Sequence, residues 1–294
     1  DKMRDERKII GEGGEGDETL RELLEFSIIN VDKPCGPTSF WVDEFIKKKL
    51  GLRKTSHAGT LDPGVSGCLP ILCNRACRLL SWFLKSKKTY VGVMRIHKDI
   101  NKEKLKQEMK KFEGKIKQKP PVRSRVARKE REREIYRFEL LEKNGRDVLF
   151  EAEVEAGTYV RKLIHDLGLR IGGAHMSELR RIRSGVFSEN DKKFVNLYEF
   201  ERAIKENRLR DILIPAEEAV KKIMEKIEVK EESIKRLLTG KPIFLSDIKK
   251  EYVEKFEKLK DGQEFCIFAG KRFIEVAKKV KEGKIVARPL FVKN

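Results

Sequence analysis

The stretch HAGTLDPGVSGCLP, residues 57–70, places one aspartate in a loop rich in glycine and proline. Asp62 stands between Leu61 and Pro63, apart from the clusters of glutamate and lysine found elsewhere in the chain. Because a residue before proline is driven toward extended backbone, Pro63 restricts how the Asp62 carboxylate is presented. Such a carboxylate can attack or stabilise an electron-poor carbon, or accept a proton. A lone aspartate in a glycine-proline loop is more often a turn residue, so this position alone does not predict catalysis.

Two further segments carry side chains capable of chemistry. In GTYVRKL, residues 157–163, Tyr159 and Arg161 lie where a predicted strand ends and a helix begins. In HMSELRRIRSG, residues 175–185, Leu179 is embedded among three arginines. A tyrosine at a strand end is usually a core residue and an arginine cluster is usually solvated, so only the combination of these segments argues for a function.

The composition points to a polyanionic partner. The chain has 294 residues and 67 Lys and Arg against 48 Asp and Glu, for a formal net charge of +19. This excess favours nucleic-acid binding, since a phosphate backbone attracts basic surfaces whatever its sequence. Adaptation to high temperature would explain many charges of both signs but not the imbalance. No apolar run approaches the ~20 residues of a membrane span, so we expect a soluble intracellular chain of two domains.

The cysteines predict neither disulfides nor a metal site. An odd number in a chain without a secretion signal argues against a disulfide framework. The spacing of Cys68, Cys73 and Cys77 fits no common zinc pattern, although His57 lies nearby. We expect the thiols to be buried; they are Cys35, Cys68, Cys73, Cys77 and Cys266.

The hydrophobic pattern predicts the elements that position these segments. FSIINVDKP reads as a buried strand, and PTSFWVDEFIKKKLG as a helix with Thr38 or Ser39 as N-cap and Gly51 as its stop. Alternation of apolar and polar residues is clearest in the strand DVLFEAEVEA. Further predicted elements are strands in GCLPILC and TYVGVMRI, an amphipathic helix at 101–113 and a helix in YVRKLIHDLGLRIG.

The pattern of apolar and polar residues changes near Pro215. From there, short helices and strand-like runs indicate a separate small domain. The glycine-rich stretch GEGGEGDE, residues 11–18, indicates a loose N-terminal region.

Taken together, four segments resemble the TruB family of pseudouridine synthases. They are HAGTLDPGVSGCLP, KTYVGVMRI, GTYVRKLIHDLG and GAHMSELRRIRSGVF, in that order, and NVDKPCGPTS upstream is similar to the first motif of the family. The resemblance covers about residues 24–200. Within the family, KPPVRSRVAR at 119–128 and the appended domain resemble the dyskerin type, the archaeal and eukaryotic catalytic subunits of H/ACA guide-RNA particles.

The resemblance implies an α+β fold. The catalytic domain would have a mixed, mainly antiparallel sheet flanked by helices, and a small PUA-type β-barrel would bind RNA. The implied domains are an N-terminal extension at 1–23 packed on the C-terminal domain, the catalytic domain at 24–215 and the PUA domain at 216–294.

The implied reaction converts uridine to pseudouridine in RNA. It breaks the N1–C1′ bond and rejoins the base through C5, so it needs no redox cofactor, metal or energy source. The sequence contains no Rossmann fingerprint, P-loop or metal-binding cluster, which agrees with this expectation. We therefore expect no cofactor.

The resemblance also assigns roles to the segments described above. Asp62 matches the catalytic aspartate, and Arg161 matches the arginine expected to form an ion pair with it. Tyr159 would act near C5, Tyr90 would stack on the flipped base, and Leu179 would close the apolar side of the pocket.

Basic residues would position the RNA. Residues 116–137 hold nine Lys and Arg against three Glu, and the resemblance makes them a mobile loop over the RNA, whereas the alternative is an exposed charged hairpin. His57 would contact RNA around the flipped nucleotide or simply pack in its loop. The predicted RNA-binding residues are Lys119, Arg123, Arg125, Arg128, Arg180 and Arg181.

The expected function is guide-directed modification of rRNA, and also of tRNA, in ribosome biogenesis. The alternatives are a stand-alone enzyme for the T-loop uridine of tRNA and a non-catalytic RNA-binding scaffold. Expected partners are an H/ACA guide RNA, substrate RNA, a small zinc-ribbon-like protein, a Gar-type protein and a kink-turn-binding protein, with no membrane. The lack of a lysine-rich tail favours an archaeal, cytoplasmic protein over a eukaryotic, nucleolar one.

Overall fold

The computed structural model describes residues 18–120, 122 and 127–294. The chain divides into two compact units, the first ending at Ile214 and the second spanning Pro215–Asn294. Most of the expected N-terminal extension lies outside the described residues. None of the described helices is long and apolar enough to cross a membrane.

The first unit is built on a mixed, mainly antiparallel sheet, as predicted. Its strands are β1 (Phe26–Lys33), β2 (Thr55–His57), β3 (Val65–Asn74), β4 (Lys88–Ile96), β5 (Gly114–Gln118), β6 (Arg131–Asn144), β7 (Asp147–Val154), β8 (Ala174–Ser184), β9 (Phe187–Ser188) and β10 (Val195–Asn196), with β11 (Ile214–Pro215) at the boundary. The order is β10-β1-β3-β8-β4-β7-β6-β5. Along this path β1 with β10 and β3 with β8 are parallel, and the other pairs are antiparallel.

Helices flank this sheet. They are α1 (Leu20–Glu25), α2 (Ser39–Leu50), α3 (Leu80–Leu84), α4 (Lys102–Lys110), α5 (Val160–Ile171) and α6 (Leu197–Lys205). The predicted limits of α2 are confirmed, because the Thr38 side chain accepts a hydrogen bond from the Trp41 N–H and Gly51 ends the helix in the left-handed region, with φ of 64°. A capped helix of this kind has a fixed starting point relative to the chain before it.

The core follows the predicted periodicities. In β7, Val148, Phe150, Ala152 and Val154 are buried as the alternation predicts. One apolar face of α5 is buried in the same cluster, through Val160, Leu163, Ile164 and Leu167.

Two elements depart from the expectations. Residues 131–144 form β6, which pairs with β5 from Gln118 opposite Arg131 to Gly114 opposite Ile135. The two ends of the segment 116–137 are therefore paired strands, as in the charged-hairpin alternative, and the expected movement of the segment over RNA stays a prediction. The arginine-rich segment after α5 is β8, a central strand between β3 and β4.

The second unit carries the small sheet expected there, with the order β12-β14-β15-β16-β13. It is consistent with a PUA-like half-barrel. Its elements are α7 (Ala216–Ile223), β12 (Lys226–Glu228), α8 (Glu231–Leu237), β13 (Ile243–Phe244), α9 (Lys250–Glu257), β14 (Glu264–Ala269), β15 (Arg272–Glu282) and β16 (Ile285–Val292).

A buried arginine joins the central sheet to the loop at residues 57–64. Arg181 in β8 is only 1% exposed. Its Nε donates to the Cys68 carbonyl at 2.9 Å and its Nη2 to the Gly59 carbonyl at 2.9 Å. Gly59 has a φ of 100°, and a Cβ at this position would lie 3.2 Å from Arg181 Nη1. The backbone at Gly59 therefore has a conformation that favours glycine, and the Arg181 guanidinium binds its carbonyl oxygen from the interior of the protein.

A buried lysine lies beside this arginine. Lys88 is 4% exposed, and its Nζ donates to the carbonyl oxygens of Ser86 at 2.8 Å and Phe83 at 3.3 Å. Burial, and to a smaller extent the charge of Arg181, lowers the pKa of Lys88 from 10.5 to about 7. In the unfolded chain this pKa returns toward 10.5, so the unfolded state binds the proton that the folded state has lost. The free energy of unfolding therefore rises with pH between about 7 and 10.5, and this contribution is lost as pH falls.

Replacing Lys88 by methionine removes this titrating group. We expect the free energy of unfolding of the wild type, relative to Lys88→Met, to rise from pH 7 to pH 10 by at most ~1.4 kcal/mol per pH unit. Urea unfolding of both proteins at several pH values measures the trend. The control is Lys87→Met, because the neighbouring Lys87 side chain is 59% exposed. If the wild-type and Lys88→Met curves stay parallel, Lys88 keeps an ordinary pKa in the folded protein, which would contradict the expected shift.

Candidate active site

Hydrogen bonds on both sides fix the loop that carries Asp62. The Ser39 hydroxyl donates to the Leu61 carbonyl and accepts from the Leu61 N–H, both at 2.8 Å. The Asp62 carbonyl accepts from the Val65 N–H at 2.9 Å, and the Pro63 carbonyl accepts from the Gly36 N–H at 2.8 Å. The Asp62 side chain itself is exposed. The backbone is therefore fixed, while the carboxylate remains accessible to a ligand.

A buried ammonium group lies below the same loop. Lys33, at the end of β1, is fully buried, and its Nζ donates to the carbonyls of Pro34 and Pro37 at 2.8 Å and of Pro63 at 3.4 Å. Burial lowers the pKa of Lys33, whereas the charges of Cys35 and Asp62 act to raise it. The Asp62 carboxylate therefore feels a positive charge from inside the protein. Lys33 lies in the motif NVDKPCGPTS, from which no role for this residue could be predicted.

The expected ion pair between Asp62 and Arg161 is not formed. No contact within 4.0 Å joins the two charged groups in the part of the chain that the structure describes. Both side chains are exposed, Arg161 on the first turn of α5. Water screens their attraction strongly, so nothing holds two hydrated side chains together at this surface.

The central strands bring Leu179 and Tyr90 to one face of the sheet. Leu179 in β8 pairs with Val65 in β3 on one side and with Gly92 in β4 on the other. Tyr90 lies two residues before Gly92, so its side chain points to the same face. Both Leu179 and Tyr90 are 9% exposed and belong to the main apolar cluster with Leu61, the neighbour of Asp62. This arrangement places an aromatic and an apolar side chain on one face of the sheet, and the roles that the resemblance implies for Tyr90 and Leu179 stay predictions.

Tyr159 is held by a residue that the sequence analysis did not identify. The Gln118 side chain is 2% exposed; it donates to the Tyr159 carbonyl at 3.0 Å and accepts from the Tyr159 N–H at 2.9 Å. Tyr159 is the N-cap position of α5, directly before Val160 and Arg161. Gln118 therefore links the charged hairpin to the start of α5. Nothing in the local sequence marks this glutamine, because its partner lies 41 residues away.

His57 has two hydrogen-bond partners. Its Nδ1 lies 2.8 Å from the buried Asp43 carboxylate of α2, and its Nε2 lies 3.2 Å from the Thr60 hydroxyl. The carboxylate can only accept, so Nδ1 carries a hydrogen, and in the neutral ring Nε2 accepts from Thr60. The His57 side chain is 20% exposed. These two contacts are those expected if His57 packs within its loop. The ring also remains partly accessible.

The predicted RNA-binding arginines behave differently from one another. The surface role expected for Arg181 is wrong, because this side chain is buried under the loop. Arg180 is half-buried and binds Asp32 through two nitrogens at 2.9 and 3.1 Å and Glu189 at 3.0 Å. Two carboxylates thus hold its guanidinium, but the side chain is still 35% exposed, so the RNA-binding role of Arg180 stays a prediction. Lys119 and Arg128 are exposed, and Arg123 and Arg125 lie outside the described residues.

The thiols are all unpaired, and one differs from the expectation. Cys35 is exposed, in the turn after β1, whereas the other four cysteines are buried as predicted. Burial raises the pKa of Cys68, Cys73 and Cys266 to about 12. These three thiols are therefore protonated and unreactive at neutral pH. The described residues contain no group of three or more His, Cys, Asp or Glu side chains arranged to hold a metal ion.

The geometry fits a reaction on an extruded nucleotide. An accessible carboxylate stands on a fixed loop, and Val65 at the end of that loop pairs with Leu179, which shares a face of the sheet with Tyr90. A carboxylate in this position can meet the sugar carbon of a nucleotide whose base lies against that face.

Comparison with protein families gives two adjoining matches. Residues 47–160 match the model described as TruB family pseudouridylate synthase (N terminal domain). Residues 161–221 match the model described as tRNA pseudouridylate synthase B C-terminal domain. The first match contains Asp62 and Tyr90, and the junction falls between Tyr159 and Arg161.

Similar curated proteins come from archaea. A protein of Pyrococcus furiosus named "Probable tRNA pseudouridine synthase B" is 46% identical over 235 residues, which cover 77% of this chain and 68% of the relative. A protein of Methanopyrus kandleri with the same name is 41% identical over 229 residues, covering 75% of this chain and 67% of the relative.

Two solved structures match the fold of this protein over nearly the whole chain. A Cbf5-Nop10-Gar1 complex matches with a TM-score of 0.82 and 38% identity, covering 96% of this chain and 89% of the matched chain. An H/ACA RNP bound to a substrate RNA containing 2′-deoxyuridine matches with a TM-score of 0.81 and 36% identity, covering 94% and 87%. Shared motifs, identity and fold thus make this chain a member of the TruB family, an RNA isomerase that forms pseudouridine.

Proposed function

We propose that this chain is the catalytic subunit of an H/ACA ribonucleoprotein and converts uridines chosen by a guide RNA. The observation that carries this proposal is the fold match to two H/ACA-type complexes over 94% or more of the chain, which includes the second unit. The proposed partners are an H/ACA guide RNA, substrate RNA, a small zinc-ribbon-like protein, a Gar-type protein and a kink-turn-binding protein. Target choice then resides in the guide, and rRNA is the expected main substrate.

A second candidate is supported by the names of the similar proteins. The archaeal relatives are called tRNA pseudouridine synthase B, which favours direct action on tRNA without a guide. Both candidates use the same pocket, so the site residues do not discriminate between them. A scaffold without catalysis ranks below both, because the pocket retains Asp62, Tyr90, Tyr159, Arg161 and Leu179.

In the proposed mechanism Asp62 acts at the ribose of the target. As the N1–C1′ bond breaks, C1′ becomes electron-poor, and an ionised carboxylate can attack C1′, stabilise it, or take a proton from C2′. The base then turns so that C5 bonds to C1′, C5 loses its hydrogen as a proton, and N1 ends with a proton. No atom enters or leaves the nucleoside overall.

The other residues position the base. An extruded uracil needs a flat surface, and Tyr90 supplies it on the face that Leu179 shares. Tyr159, held through its backbone by Gln118, lies at the start of α5 and is assigned to proton removal near C5. Covering RNA would exclude water from Asp62, which disfavours its charge unless a cation compensates. We assign that compensation to Arg161 in the RNA-bound state.

The second unit offers a basic surface for RNA. A cleft of about 470 Å³ is lined by four lysines, Lys221, Lys222, Lys226 and Lys255, against two glutamates, Glu225 and Glu264, so its lining carries a net positive charge. Ammonium groups clustered in this way attract phosphates without regard to sequence. This cleft supports the proposal that the second unit anchors RNA while the first carries out the reaction.

The experiment that tests the function compares guide and no guide. The purified chain is incubated with a uridine-containing rRNA fragment, with and without a matching two-hairpin H/ACA guide RNA and the partner proteins, and with unmodified tRNA. We expect pseudouridine in the rRNA fragment only when the guide is present.

Asp62→Asn keeps the shape of the Asp62 side chain but removes its charge. We expect this variant to bind RNA while product formation falls by at least about a thousandfold.

The alternatives give other patterns in the same experiment. Guide-independent pseudouridine in tRNA alone would establish the stand-alone enzyme instead. Product formed by Asp62→Asn at the wild-type rate would remove Asp62 from the reaction.

Arg161 is tested by a substitution that keeps its charge. Lysine lacks the planar guanidinium fork, so Arg161→Lys should lower kcat by about ten- to a hundredfold and leave RNA affinity nearly unchanged. Single-turnover kinetics on pre-bound RNA measure this effect. The control is Lys162→Arg, at an adjacent lysine that pairs with Asp166 at 2.6 Å on the same helix. Wild-type turnover in Arg161→Lys would contradict the assigned role.

Asp43 is expected to fix the orientation of His57. Asp43→Leu removes the acceptor, so the ring should turn, and kcat/KM should fall by about tenfold. Asp43→Asn keeps an acceptor and should retain most of the activity. The imidazole ¹⁵N NMR signals of His57 report directly on whether Nδ1 carries the hydrogen, and they should become mixed only in Asp43→Leu. An unchanged NMR spectrum in Asp43→Leu would show that Asp43 does not orient the ring.

A further inference from the structure

Two large aromatic side chains are exposed at the start of α2. Phe40 is 67% exposed and Trp41 is 50% exposed. Burying such rings is normally favourable, so a pair of exposed rings at one place marks a surface that binds something. We call Phe40 and Trp41 the aromatic pair.

The aromatic pair is fixed next to the catalytic loop. Phe40 follows Ser39, and Asp62 follows Leu61, and the Ser39 hydroxyl makes both hydrogen bonds to the Leu61 backbone at 2.8 Å. Phe40 and Asp62 are thus each one residue away from the same hydrogen-bonded contact. A nucleotide strand that delivers its target to Asp62 passes the start of α2 within a nucleotide or two.

The Trp41 ring is also held in place before any ligand arrives. The Trp41 ring stacks on Phe45 with centroids 5.1 Å apart and an angle of 15° between the planes. Phe45 in turn meets the buried Phe200 edge-on at 6.2 Å. The backbone N–H of Trp41 donates a hydrogen bond to the Thr38 hydroxyl at 3.0 Å. A ligand that stacks here therefore loses little entropy in ordering the protein.

The charges along α2 suit an anionic strand. Lysines 47, 48 and 49 occupy its last turn. Its two acidic residues are paired within the protein, Asp43 with His57 at 2.8 Å and Glu44 with Lys47 at 3.9 Å. Aromatic rings followed by ammonium groups are the combination that binds single-stranded nucleic acid, through base stacking and phosphate contacts.

We propose that the aromatic pair is a stacking platform for the nucleotides of the substrate strand that flank the flipped uridine. Extruding one base leaves its neighbours without a stacking partner, and a protein ring restores that contact for any base. This inference rests on the proposed function, because it requires an RNA substrate at Asp62. It adds a binding surface outside the pocket formed by Tyr90 and Leu179.

The kinetic experiment removes both rings in the full chain within the assembled enzyme. In Phe40→Ala/Trp41→Ala, KM for substrate RNA should rise about tenfold while kcat stays within twofold, since the platform binds neighbours and not the reacting base. The matched control is Leu169→Ala, which removes another exposed apolar side chain, 74% exposed, from α5. Substrates with abasic nucleotides on both sides of the target should weaken binding to the wild type and not to the double variant.

A spectroscopic experiment observes the stacking directly. The chain has two tryptophans, so Trp82→Phe leaves Trp41 as the reporter. Stacked bases should quench Trp41 fluorescence when intact substrate binds, and abasic flanks should restore it.

The outcomes separate this inference from the proposed function. If the wild type is active but the double variant has the same KM as Leu169→Ala, the stacking role of the aromatic pair is wrong and the proposed function is unaffected. If the double variant keeps its RNA affinity but loses affinity for a partner protein, the surface is a protein-docking site and the inference is overturned. If the wild type makes no pseudouridine, the proposed function fails independently of these measurements.

Discussion

The shape of the loop at residues 57–64, which carries Asp62, depends on buried cations that bind its backbone carbonyls. Lys33 donates to Pro63 and Arg181 donates to Gly59, on either side of Asp62. A loop of this length close to a sheet has carbonyl groups that neither water nor a strand neighbour satisfies, and each would be costly if left unpaired. Ser39 completes the support through Leu61. The protein therefore orders the loop with positive charge placed below it, on the side away from solvent, and leaves the carboxylate on the open side.

The same constraint explains the opposite behaviour of two neighbouring arginines. Because side chains alternate along a strand, Arg180 and Arg181 in β8 point to different faces of the sheet. Arg180 meets Asp32 and Glu189, while Arg181 lies beneath the catalytic loop. Burial of Lys88 beside it, and to a smaller extent the charge of Arg181, lowers the pKa of Lys88. A cluster of arginines that looks like an RNA-binding surface in the sequence is thus partly the internal support of the site.

The sequence was sufficient to predict a structural feature where that feature depends on residues close together in the chain. Alternation in β7, the apolar face of α5 and the caps of α2 each depend on residues a few positions apart, and the structure confirms all three. It was insufficient where a contact joins distant segments, as for Gln118 with Tyr159 and Asp43 with His57. Central strand β8 was not predicted as a strand, because its alternating arginines and glutamate resemble a solvated segment. Motif resemblance proposed the site residues, but it did not show what holds them.

The missing contact between Asp62 and Arg161 follows from the same electrostatics. At an exposed site the attraction between two unit charges is weak, because water solvates each of them separately. When RNA covers the loop and removes that water, the attraction grows severalfold and the cost of an unpaired carboxylate grows with it. Lys33 cannot move to meet Asp62, since three backbone carbonyls hold its ammonium below the loop. Arg161 is exposed on the first turn of α5, and the proposed mechanism assigns this role to it. The ion pair assigned there to Asp62 and Arg161 therefore requires the RNA-bound state, in which water is excluded from the carboxylate.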